Sequence, residues 1–133
     1  MQDQPTSREL LDSVAQFLDG ELIPSLSDPR LKYRARVAAN VLNILSREVE
    51  LSDAQLRAER ERLATLLGEL SANEDVRADV ERMTRELAQR IRAGAADEGA
   101  FHETVFAHVE QTVIEKLQIA NPRYLKRVRR GIS

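Results

Sequence analysis

At 133 residues and 15.1 kDa the chain has the size of one ordinary domain, and composition suggests a single core. Cysteine is absent, which excludes disulfides, cysteine nucleophiles, thiolate zinc sites and iron–sulfur clusters. A net charge of −2 is too balanced to point to nucleic acid or an anionic membrane, and 4% aromatic content without Trp argues against base-stacking platforms.

The first predicted helix places Leu10, Val14, Phe17 and Leu18 three and four residues apart, one stripe of an amphipathic helix. Thr6 with Glu9 three residues later forms a capping-box signature, and the apolar run reaches Ile23 before Pro24. Gly20 weakens the middle, so the helix either stops near Asp19 or bends through to Ile23; continuation is the preferred reading. Residues 25–29 read as a turn, since Pro24 and Pro29 bias the residues before them away from helix and Ser27 or Asp28 can cap the next helix. That second helix carries Tyr33, Val37, Val41, Ile44, Leu45 and Val49, beside a narrow flank at Ala38 and Ala39.

Ser52 or Asp53 is expected to cap a third helix bearing Leu56, Leu63, Leu66, Leu67 and Leu70, with Arg57, Glu59, Arg60, Glu61 and Arg62 outward. A fourth comes after Ser71, Ala72 and Asn73, with Val76, Val80, Met83, Leu87 and Ile91 in register and Gly94 as its stop. The last is expected to open at Asp97, with Phe101, Val105, Val109, Val113 and Leu117 joined by Phe106 and Ile114, and to end at Asn121-Pro122. Residues 120–133 hold five cations, Arg123, Lys126, Arg127, Arg129 and Arg130, and no carboxylate side chain, against −7 for the preceding 119 residues. Short connections between about five amphipathic helices imply an all-α, up-and-down antiparallel bundle over residues 1–120 with a basic tail at 121–133.

No run approaches the roughly 20 apolar residues that a membrane helix needs, and the N-terminus lacks a signal peptide's basic and apolar regions. A cytoplasmic protein without a membrane partner is expected. His102 and His108 lie about 240° apart around a helix, which disfavours a shared metal, and no Glu-x-x-His pattern, serine elbow or glycine-rich phosphate loop occurs. The sequence therefore predicts no catalytic residue, metal or cofactor. The second helix is less ordinary: Arg36 and Asn40 are one turn apart, as are Asn43 and Arg47, and asparagine is a poor helix-interior residue. That set suits either a polar contact to a partner or ligand, or a tether from Asn40 to a neighbouring element with the arginines on surface acids. The tail residues resemble a nucleic-acid-binding run, but docking on an acidic surface explains them equally, and nucleic acid is disfavoured.

Glu9-Leu10-Leu11 with Val14 and Phe17-Leu18, Arg36-Val37-Ala38-Ala39-Asn40 running to Arg47-Glu48, and Asn121-Pro122-Arg123-Tyr124 together resemble a bacterial family of small helical domains of unknown function. Genes of that family often neighbour those for aminoglycoside-phosphotransferase-like kinases and acyl-CoA dehydrogenases. The resemblance implies an accessory role beside such an enzyme and transfers no catalytic residue. The leading expectation is a non-catalytic interaction subunit using Arg36, Asn40, Asn43, Arg47, Asn121, Arg123 and Tyr124. The alternative is a small-molecule binder, for acyl-CoA or another anion, with a pocket between helices and Arg36 and Arg47 on the anionic group. Self-association across the apolar last helix is compatible with either.

Overall fold

The computed structural model describes residues 4–70 and 73–132, and among these every regular element is helical. There are five main helices: α1 (Ser7–Phe17), α2 (Pro29–Leu67), α3 (Val76–Arg92), α4 (Gly99–Ala120) and α5 (Pro122–Ile132). The all-α bundle class is as expected, but its members differ from those read off the periodicity.

Thr6 caps α1, its Oγ1 accepting from Glu9 N at 3.2 Å. The chain then continues through Gly20 as a π-helical turn over Leu18–Leu22, with Ile23 N–H donating to Leu18 O, into a short turn at Ile23–Ser25. Pro24 explains the widening: it has no N–H to give to Gly20, and in a regular helix its ring would press on that carbonyl. Asp28 caps α2 by accepting from Arg30 N at 2.9 Å.

The boundary expected at Ser52 and Asp53 does not exist, and α2 runs unbroken from Pro29 to Leu67. A Ser-Asp pair is a start signal only where something ends the preceding helix, and no Gly or Pro lies between Arg30 and Leu67. The true stop is Gly68, at φ 71°, where Glu69 N donates to Ala64 O and Gly68 N to Thr65 O. Only glycine adopts that left-handed conformation without strain. Gly94 ends α3 in the same way at φ 89°. Asp75, rather than the 71–73 stretch, caps α3 by accepting from Ala78 N at 3.1 Å; Ser71 and Ala72 lie outside the described residues. The last long helix opens at Gly99 instead of Asp97. The expected basic tail is helix α5, started by Asn121 Oδ1 accepting from Tyr124 N at 3.1 Å with Pro122 in the first position.

The chain divides into two compact units: residues up to Ser52 together with those from Gln118 onward, and Asp53–Leu117. In the second unit, Leu63, Leu67, Val80, Met83, Leu87, Ala96 and Val105 form an apolar core, joined at its edge by Leu56, Leu66, Val76 and Phe101. Arg60 Nη1 crosses to the buried Asp79 carboxylate at 3.5 Å and to Asn73 O at 2.9 Å, tying α2 to the start of α3.

In the first unit α1 and α2 run antiparallel, since Arg8 pairs with Glu50 and Asp12 Oδ1 accepts from Ser46 Oγ at 2.6 Å. Their contact is made by small and polar residues, with Ala15, Ala39 and Ser46 buried. Of the apolar stripe Tyr33, Val37, Val41, Ile44, Leu45 and Val49 along this helix, only Ile44 is half-buried; the other five are exposed, Tyr33 to 68%, Val37 to 45% and Val41 to 47%. Leu10, Val14 and Phe17 of α1 are exposed as well. Alanine and serine allow two backbones to approach closely, and that approach turns the bulky stripes of both helices away from the contact.

Candidate functional site

Two features of the described residues stand out, one in each unit. In the second unit, α2 and α4 face each other through matched polar stripes. Gln55, Glu59, Arg62 and Leu66 recur at four, three and four residues along α2, and Thr104, His108, Gln111 and Glu115 do so along α4. Arg62 grips the Glu115 carboxylate with Nη1 to Oε1 at 2.7 Å and Nη2 to Oε2 at 3.2 Å, a bidentate geometry. Gln111 Nε2 donates to the same carboxylate at 3.3 Å, Gln55 Nε2 donates to Glu115 O at 3.0 Å, and Arg62 Nη2 reaches Thr112 Oγ1 at 3.4 Å.

Beside this network lies an open groove of about 620 Å³, bounded by Ala58, Glu61, Arg62, Thr65 and Leu66 on α2 and by Thr104, Ala107 and His108 on α4. Most of its wall is apolar. His108 is only 7% exposed, and its Nδ1 and Arg62 Nε are buried without a hydrogen-bond partner. Burial, with the Arg62 charge second, pushes the His108 imidazole down from its ordinary value, against the opposing pull of Glu115. The folded state therefore favours the neutral ring. Because the folded value lies below the unfolded one, the stability linked to His108 is complete above the ordinary value near 6.5 and falls as pH drops through it. H108Q is expected to flatten the loss of stability between about pH 7 and pH 5 in urea titrations, relative to the parent chain.

The residues nominated from sequence line a different region. Arg36 and Asn40 are exposed on α2, Asn43 is half-buried, and Arg47 Nε donates to Ile119 O at 2.7 Å. Arg47 thus satisfies one of the unpaired carbonyls in the last turn of α4 and places its charge at the negative end of that helix. Asn121 is a cap, and Arg123 and Tyr124 are exposed, with the Arg127 guanidinium 5.6 Å from the Tyr124 ring centre. None of the seven borders the groove.

His108 and Arg62 went unnominated because the first was weighed only against His102 and the second was placed outward. His102 instead points Nδ1 at Ala96 O, 2.8 Å away. The interlocking four-three-four polar stripes were the signal available. Among the described residues no three His, Asp or Glu side chains gather as metal ligands, and no helix is long and apolar enough to cross a membrane.

The second feature is in the first unit. Besides the exposed apolar side chains of α1 and α2, Tyr124 and Val128 of α5 are exposed, and its cations Arg123, Lys126, Arg127 and Arg130 lie on another side of that helix. The fold and these two surfaces define a small helical-bundle protein. The domain of unknown function DUF6285 matches residues 24–124, and the chain belongs to that family. The match begins at Pro24, after α1, and ends at Tyr124, so it includes Arg123 and excludes the other cations of α5. No curated protein and no solved structure matches the chain.

Proposed function

We propose that the chain is a non-catalytic interaction subunit that works by docking the first unit on a protein surface. The observation carrying this reading is the inversion between α1 and α2, where Asp12 and Ser46 meet inside while Leu10, Val14, Phe17, Val37 and Val41 face out. Large apolar side chains recurring on exposed faces of three helices mark an interaction site more readily than a solvated surface. Arg36 and Asn40 lie one position from Val37 and Val41 and supply polar contacts beside the apolar ones. The partner implied by the family resemblance is an aminoglycoside-phosphotransferase-like kinase or an acyl-CoA dehydrogenase, in the cytoplasm. Replacing both Val37 and Val41 by Asp is expected to abolish co-purification of the partner while leaving the unfolding free energy from urea titration within about 0.5 kcal/mol of the parent, as for other exposed sites. Unchanged capture contradicts the reading.

A second reading is favoured by the groove. Its volume suits a small molecule, and its lining offers the His108 imidazole, the Glu61 carboxylate and a guanidinium already paired with Glu115. That chemistry fits an apolar chain with a hydrogen-bonding head better than a free anion. Octanoyl-CoA is expected to raise the melting temperature of the parent chain and not that of an H108L variant; equal shifts, or none, exclude acyl binding there.

A further inference from the structure

Resting on the interaction reading, we infer that the surface covering the first unit is a second copy of this chain, paired isologously, with the acidic α1 segment of one copy against the cationic α5 and α2 start of the other. Both signs of charge are present in this one unit, and several of these side chains take no part in an ion pair within it. Between residues 4 and 28 the chain carries Glu9, Asp12, Asp19, Glu21 and Asp28 against the single cation Arg8. The start of α2 carries Arg30, Lys32, Arg34 and Arg36, and α5 carries five cations and no carboxylate. Among the described residues, Asp19, Glu21, the four cations at the α2 start, Lys126 and Arg129 take part in no ion pair. Arg30 and Lys32 in the first turn of α2 also oppose the positive end of that helix's dipole, a cost that carboxylates brought from outside relieve. A two-fold pair uses each patch twice, acid to base and base to acid, so one chain supplies everything the interface needs. With a net charge of only −2, two copies meet without strong mutual repulsion.

Among the described residues, eleven of the sixteen large apolar side chains left exposed belong to the first unit, whose buried apolar residues are Ala15, Ile23, Ala39 and Leu125. That unit is short of core, and a second copy supplies it.

Sedimentation equilibrium of the full chain from 1 µM to 1 mM at low salt tests this. The expected species is twice 15.1 kDa, and V37D/V41D raises the dissociation constant at least a hundredfold. Two charge reversals on exposed, unpaired residues, D19K/E21K in one chain and K126E/R129E in another, each weaken pairing at least tenfold. An equimolar mixture of those two chains restores it to within threefold of the parent, because reversed acid then meets reversed base and parent meets parent. A chain that stays at 15.1 kDa up to 1 mM, or a mixture no tighter than its components, overturns the second copy. So does a monomer that binds only anionic phosphatidylserine vesicles. A monomeric chain whose native partner is lost in V37D/V41D overturns the second copy and keeps the interaction reading; if neither pairing nor capture responds to V37D/V41D, both fall.

Discussion

Replacing Leu63 with alanine is expected to destabilise the second unit by about 3 kcal/mol, while L70A changes stability by less than about 0.5 kcal/mol. Both leucines belong to the same apolar run, yet Leu63 is 0% exposed beside the equally buried Met83 and Leu70 lies past the end of α2 at 98%. Truncating Leu63 removes buried methyl and methylene groups with their transfer free energy and leaves a void that Leu67, Met83 and Val105 close only in part. Urea denaturation followed by circular dichroism, with the slope unchanged, measures the difference. Equal costs for the two substitutions would mean that α2 does not stop at Gly68.

The second large effect is at Glu115. Its carboxylate is the sole ion-pair partner of Arg62 among the described residues, and the two side chains are 10% and 25% exposed. E115A leaves a guanidinium held between α2 and α4 with Thr112 as a hydrogen-bond partner and the Glu59 charge nearby, and a cost of about 2 kcal/mol is expected, reduced from the value for a fully buried pair by Arg62's partial access to water. The double variant R62M/E115L removes both charges together and is expected to lie closer to the parent than E115A does. A thermodynamic cycle over the parent, E115A, R62M and the pair isolates the coupling. If R62M/E115L costs as much as the two single changes summed, the pair contributes packing alone.

Much of this fold is legible in the residues. The caps at Thr6 and Asp28, the stop at Gly94 and the core stripe Val80, Met83 and Leu87 come straight from local rules, because each acts within one or two turns. Long-range choices are not. Ser52 and Asp53 have the chemistry of a helix start, but nothing nearby breaks α2, so they sit inside it. The apolar stripe of α2 has helical period, and period alone does not say whether a helix of the same chain or another surface covers it.

The groove shows the same limit from the other side. Arg62 precedes Leu63 by one residue in a densely charged run, where an outward placement is the natural expectation; it turns inward because Glu115, far along the sequence, meets it bidentately. The nominated Arg47 has a local signal and a distant purpose, since its target is the carbonyl of Ile119.

If the outward faces of α1 and α2 are covered by protein when the chain works, photo-crosslinking in the native host detects the neighbour, with a benzophenone amino acid at Val37 or Val41 and, as the control, at exposed Arg85 of the second unit. A protein adduct is expected from Val37 and Val41, running at twice the chain's mass where the neighbour is a second copy, and none from Arg85. Chains that remain uncrosslinked at both valines would contradict it.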